Sequence, residues 1–275
     1  MTEDAIPSMA EEQSAAPTRV RRILRAAADR MRRAATGLAD VMMPPLCLSC
    51  RCPLASHDAL CAECWSKITF IRPPLCDVLG VPLPFGGPGR IVSAAAAADP
   101  PAYDRARAVA QYDGVMRELI QDFKFRDKQD ARGLFARWLI GAGAELLEGA
   151  DAVLPVPLSR WRLIWRRFNQ AAMLSQDVAR MSGKLYLPQT LDRVRRTKSQ
   201  VGLTRAERRL NVHGAFAVRA ADEDAIRGKN IVLIDDIITT GATVDAAAKA
   251  LKRAGARRVE VLALAIVADT SHAAF

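Results

Sequence analysis

The stretch Ile231-Val-Leu-Ile-Asp235-Asp236-Ile-Ile-Thr239-Thr240-Gly241-Ala242-Thr243 constrains the fold more than any other part of the chain. An apolar strand runs into two adjacent carboxylates, then a Thr/Gly loop, then a helical pattern over Ala242–Ala254. A helix N-terminus leaves backbone N–H groups unpaired, and with the helix dipole these make an anion site suited to a phosphate. Gly241 permits close backbone approach, and Thr239, Thr240 and Thr243 add hydroxyl donors. Two carboxylates beside a phosphate make sense if the ligand also carries hydroxyls for them to accept, as a ribose 5-phosphate does.

The same alternation extends along the chain. Ala106–Tyr112 and Ala152–Val156 read as strands, as does Val259–Val267. Val115–Lys124, Gly133–Leu147 and Asn169–Met181 read as helices. Strands alternating with helices predict an α/β fold, a parallel sheet flanked by helices on both faces. Val153-Leu-Pro155-Val156-Pro157-Leu158 ends one such strand in a Pro-rich turn.

Ahead of this domain, Cys47-x2-Cys50 and Cys61-x2-Cys64 are separated by ten residues. Two CxxC turns at that spacing close a tetrahedral four-thiolate zinc site with no open position, hence a structural metal. A stretch of about 40 residues buries little by itself and needs such a staple. The remaining Cys52 and Cys76 read as small core residues. The expected organisation is a disordered tail over 1–17, a basic amphipathic helix over 18–42, a four-cysteine zinc ribbon over 44–85, a Gly/Ala/Pro-rich linker over 86–102 and the α/β domain over 103–275.

The formal charge of +10 is concentrated. Residues 18–37 hold seven Arg and one acid, and residues 159–219 hold 14 basic residues and three acids. The first segment is a solvated helix face, or else a membrane or nucleic-acid contact; charge runs favour the former. Within the second, Arg193 to Phe216, which opens Arg193-Val-Arg195-Arg196-Thr-Lys198-Ser-Gln200, is too polar and basic for core and reads as a solvated basic loop, or else resembles a mobile loop that closes over pyrophosphate. The acidic start Met1-Thr-Glu-Asp has no signal-peptide core. The apolar run Val261–Ala268 is far shorter than the roughly 20 residues a membrane span needs. A cytoplasmic protein is expected.

The Asp-Asp-Thr/Gly segment resembles the phosphoribosyl-diphosphate (PRPP) loop of type I phosphoribosyltransferases. The chain from about residue 40 to 268 resembles the ComF/GntX family, a Cys-rich double zinc ribbon followed by a phosphoribosyltransferase domain. The residues that carry it are the four cysteines, Arg166-Arg-Phe168-Asn169-Gln170, Thr197-Lys198-Ser-Gln200, Arg209-x-Asn211-Val-x-Gly214-Ala-Phe216 and Asp235-Asp236 with Thr239-Thr-Gly-Ala-Thr243.

The resemblance implies that Asp235 and Asp236 hold the ribose hydroxyls of PRPP with Mg2+. Thr239, Thr240, Gly241, Ala242 and Thr243 would hold the 5-phosphate, and Val156, Pro157 and Leu158 the pyrophosphate. Arg196 and Lys198 would neutralise the leaving group. It further implies a role in DNA uptake in natural transformation, with single-stranded DNA and competence-machinery proteins as partners. Two alternatives stand beside a PRPP- and DNA-binding protein: an active transferase of ribosyl phosphate to a nitrogen acceptor, and a PRPP-sensing regulator. Tyr103, Trp161, Trp165 and Phe168 lie beside or within basic segments and are open to a stacking or a core role. Two positions depart from the family pattern. Arg167 stands where a Gly is usual, and Leu79 stands where a further CxxC near Cys76 would have its second thiol, so a second zinc half-site is expected to be lost.

Overall fold

The computed structural model describes residues 44–87, 89–125, 129–158, 168–195, 197 and 202–267. The expected tail, the basic helix of residues 18–42, Arg167, Arg196 and Lys198 lie outside the described residues.

In chain order the helices are α1 (Ala62–Ser66), α2 (Ala94–Ala98), α3 (Gly114–Phe125), α4 (Arg132–Ala142), α5 (Ala144–Glu148), α6 (Gln170–Ser182), α7 (Arg205–Val212), α8 (Glu223–Ile226) and α9 (Ala242–Arg253). The strands are β1 (Arg105–Gln111), β2 (Ala152–Pro155), β3 (Leu185–Tyr186), β4 (Leu191–Arg193), β5 (Phe216–Val218), β6 (Asn230–Ile238) and β7 (Arg258–Ile266). Five of them form one parallel sheet in the order β1-β7-β6-β2-β3. β6 and β7 lie at its centre, and Val232, Leu233, Ile234, Val261, Leu262 and Leu264 are fully buried. A strand covered on both faces needs such an unbroken apolar run. One face packs against α3, α4 and α6 and the other against α9.

Three expectations are corrected. The single helix over Gly133–Leu147 is two, α4 and α5, meeting at Gly143. A Cβ there would stand 2.6 Å from the Leu262 side chain, which would have to shift to admit it. The segment taken as a linker holds α2, whose N-cap Ser93 accepts from the Ala96 N–H and whose Ala96 is buried. The basic stretch after Leu191 is not one loop. β4 pairs antiparallel with β5, and α7 opens on a capping box in which Thr204 and Glu207 bond each other's backbone N–H. Those polar side chains satisfy helix-end donors, which a reading based on apolar periodicity overlooks.

The cysteine-rich segment grips the sheet edge. Ile71 and Gln111 donate to the Val109 and Thr69 carbonyls, and Ala106 donates to that of Val78, so β1 has no bare edge there. The segment contains two similar turns. In the first, Leu46 bridges Pro53 and the Cys47 N–H bonds the Cys52 carbonyl; in the second, Leu75 bridges Pro82 and the Cys76 N–H bonds the Val81 carbonyl. The second turn keeps one thiol. Cys76 is fully buried and accepts from the N–H and hydroxyl of Ser93, each at 3.3 Å, and Leu79 presents no ligand. Hydrogen bonds thus occupy the place of a metal.

Candidate active site and zinc centre

The thiols of Cys47, Cys50, Cys61 and Cys64 lie within 4.8 Å of one another, Cys50 and Cys61 at 3.6 Å. Zn–S bonds of about 2.3 Å in a tetrahedron set sulfurs roughly 3.8 Å apart, so the cluster fits zinc. Burial pushes the Cys47 thiol up, but N–H donors from Cys61, Ser49 and Cys50 outweigh it and hold the thiol at about 6. Burial pushes Cys64 up to about 12. Four thiolates cannot coexist here without a cation, which a divalent metal supplies.

At the C-terminal end of β6, Asp235 and Asp236 stand side by side, and the Asp236 N–H bonds the Asp235 carboxylate at 2.8 Å. Burial, then the charge of Asp236, pushes Asp235 up to about 7, while Lys124 and Arg193 pull the other way. Lys124 closes α3 and places its ammonium 2.8 Å from the Asp236 carboxylate, with both side chains at most 15% exposed. Arg193, at the end of β4, holds its guanidinium 5.2 Å above the Phe216 ring and bonds the Thr197 hydroxyl. Neither cation was singled out at this site from sequence. A Lys in the last turn of a helix looks like any C-terminal cation, and Arg193 sits in a segment whose composition reads as a basic loop.

Beyond the acid pair, Gly241 adopts φ +77° at the N-cap of α9, and no side chain caps that helix end. Thr239 is exposed and Thr240 half-buried. Across the sheet, Val156 is buried, and Pro157 and Leu158 are half-buried at the end of β2, which pairs with β6 in register Pro155↔Ile234. The structure therefore brings Asp235, Asp236, the Thr239–Thr243 loop and the Val156–Leu158 turn to one end of the sheet.

The Phe168-Asn169-Gln170 motif acquires a physical role. Asn169 caps α6 by accepting from the Ala171 N–H and donates to the Val156 carbonyl at 3.2 Å. Gln170, 1% exposed, donates to the Lys124 carbonyl at 3.2 Å. One dipeptide thus fixes the turn after β2 and the end of α3 that carries Lys124. Arg195 is engaged elsewhere. Its guanidinium donates to the carbonyls of Leu210, Asn211 and His213 and closes the C-terminus of α7.

The chain matches the double zinc ribbon domain over residues 38–96 and the phosphoribosyl transferase domain over residues 176–273. It is 34% identical over 234 residues to the DNA utilization protein YhgH of Salmonella typhi, covering 81% of this chain and 97% of that one. It is 31% identical over 228 residues to competence protein F of Haemophilus influenzae, covering 80% and 96%. Competence protein ComFC of Bacillus subtilis is 28% identical, covering 74% and 81%. Among solved structures, orotate phosphoribosyltransferase from Aeropyrum pernix matches 52% of this chain and 75% of that one at 16% identity, with a TM-score of 0.29. A four-thiol ribbon, a parallel sheet bearing an acid pair and a Thr/Gly loop, and relatives alike over nearly their whole length make this chain a member of the ComF/GntX family.

Proposed function

We propose that the protein binds PRPP with Mg2+ at the end of β6 and single-stranded DNA on its basic surface, in the service of DNA uptake. The observation that carries this reading is the acid pair Asp235-Asp236 held beside Lys124 and leading into the uncapped loop at Gly241. Two adjacent carboxylates are oxygen donors of the kind Mg2+ and ribose hydroxyls take, and Lys124, 2.8 Å from Asp236, offsets part of their charge. In this reading the two carboxylates accept from the ribose hydroxyls, the amides of the loop hold the 5-phosphate, and the Val156–Leu158 turn faces the pyrophosphate. Mg2+ would neutralise the diphosphate.

DNA contact is supported by the names of the relatives and by the cations of α7. Arg205 is exposed on that helix, beside the 74%-exposed Leu210, and Arg208 is half-buried with its Nε on the Leu203 carbonyl. The role falls on Arg205 more than on Arg193, Arg195 and Arg208, which are engaged within the fold. Phosphate contacts of this kind supply most non-specific affinity. No helix among the described residues is long and apolar enough to cross a membrane; the cytoplasm is the compartment in which this reading operates.

A second reading, transfer of ribosyl phosphate to a nitrogen acceptor, draws on Lys124 and Arg193. Both carry positive charge to the acid pair, where a departing pyrophosphate needs it. Calorimetry with PRPP and Mg2+ tests the shared core of both readings. Asp236→Asn should weaken binding by about tenfold or more, and unchanged affinity would remove the ribose assignment. Pyrophosphate release across a panel of nitrogen acceptors separates transferase from binder.

A further inference from the structure

Behind the phosphate loop lies a cavity of about 200 Å³, between Asp99–Tyr103, α7 and the outer face of α9. Its back wall is Thr239–Ala242, so it shares the loop given above to the 5-phosphate, but neither Asp235 nor Asp236 lines it. Leu79 and Val81 from the second cysteine turn, with Pro101 and Val212, give it apolar walls. Arg205, Arg209, Lys249 and Arg253 stand at its rim against two carboxylates, Asp99 and Asp245.

Two observations mark it as a site for a ligand. Tyr103 lines it and is 5% exposed, yet among the described residues no group hydrogen-bonds its hydroxyl, which lies 3.7 Å from the position a Gly241 Cβ would take. On the same wall the Thr240 hydroxyl is buried with no hydrogen-bond partner among the described residues, where buried polar groups are ordinarily paired. In addition, Asp99 draws in two guanidinium groups from α7, bonding Arg209 closely and Arg205 only at 3.8 Å. A single carboxylate leaves Arg205 with capacity for a further anion.

We propose that this cavity binds a small anion built on one aromatic or heteroaromatic ring. The ring lies between Leu79, Val81, Pro101 and Tyr103, a carboxylate or phosphate meets Arg205 and Arg209, and a ring heteroatom or hydroxyl pairs with the Tyr103 hydroxyl. The volume admits a ring with one acidic substituent and excludes a dinucleotide. Because the wall opposite the ring is the Thr239–Ala242 loop, occupancy acts on that loop directly.

The test is calorimetry on the full chain with four probes: uridine 5′-monophosphate, benzoate, uridine and inorganic phosphate. At least one ring anion should bind about tenfold more tightly than both uridine and phosphate. Preference for the nucleotide identifies a ring phosphate and preference for benzoate a ring carboxylate. Ala246→Leu, which fills the cavity from α9, should abolish that binding, and Arg205→Gln, on the surface of α7, should weaken it about tenfold. Asp236→Asn should leave it unchanged, which separates this cavity from the ribose site. Should Ala246→Leu fail to fold, Arg205→Gln decides. Ring anions no tighter than uridine or phosphate, or indifferent to Arg205→Gln, or lost with Asp236→Asn, would overturn the proposal.

Discussion

Replacing Lys124 by Met removes the ammonium that meets Asp236 at 2.8 Å, in a pair only 12% and 15% exposed. Breaking a buried pair by deleting one partner typically costs about 3–5 kcal/mol, because the other charge is left uncompensated. Here the site has an escape. Asp235 is already pushed up to about 7 by burial and by Asp236, and Lys124 is one of the cations restraining it. Without Lys124 the acid pair takes up a proton more readily. Sharing that proton costs little near pH 6 and about 1.4 kcal/mol for each pH unit above the carboxyl's own pKa.

The sign follows from linkage. A carboxyl raised above its unfolded value favours the native state while protonated, and that contribution is lost as pH climbs from its unfolded value through the folded one. In the variant the loss continues to higher pH than in the wild type. Lys124→Met should therefore cost about 1 kcal/mol at pH 6 and about 3 kcal/mol at pH 8.5, read as the shift in urea midpoint at constant slope. Adding Asp236→Asn should recover most of the loss at pH 8.5, since the two residues form one interacting unit. An equal loss at both pH values, or no recovery in the double variant, would refute the reasoning.

Further outcomes follow from the same structure. Accepting the ribose hydroxyls requires Asp235 ionised, so PRPP–Mg2+ affinity should fall by up to about tenfold per pH unit below 7, with proton release measurable in buffers of different ionisation heat. Purified protein should carry close to one zinc per chain by metal analysis, because Leu79 leaves the second turn a single thiol, and two would contradict the hydrogen-bonded role of Cys76. Thr204→Ala should cost about 1 kcal/mol of stability by thermal melting, the usual value of an N-cap. Arg107→Lys keeps the charge but loses a fork that donates to Asp77 and Glu145 from a site 7% exposed, and should cost about 2 kcal/mol by urea denaturation.

The parts legible in the sequence were those governed by local pattern. The β6 run, the acid pair and the Thr/Gly loop are contiguous, so their geometry follows from one strand–loop–helix unit. The four cysteines are legible because metal chemistry fixes their spacing. What escaped depends on contacts distant along the chain. Lys124 meets Asp236 across more than a hundred residues, and nothing local distinguishes it from another helix-terminal lysine. The antiparallel pair β4–β5 and helix α7 escaped for a different reason: their segment is rich in Arg, and composition suggested a loop. Arg195 shows how misleading that is, since its charge is spent on three helix-end carbonyls.

The integration of the cysteine-rich segment is the least local feature and explains why the segment is stable beyond its single cluster. Cys47, Leu48 and Ile68 join the core on the α3–α4 side of the sheet, and Cys76 and Val81 join the core on the α9 side. The segment therefore straddles the β1 edge and packs on both faces. Arg107 fastens it from within, donating to the Asp77 carbonyl and carboxylate while also bonding Glu145 of α5. The second turn can thus dispense with a metal, because the sheet edge, the buried arginine and Ser93 supply the constraints that a second zinc would impose. The first turn has fewer such ties, with Cys50 exposed and Cys61 half-buried. A metal is most needed where the fold itself contributes least, and chelation should loosen Pro45–Ser66 before it disturbs the β1 edge or the acid pair.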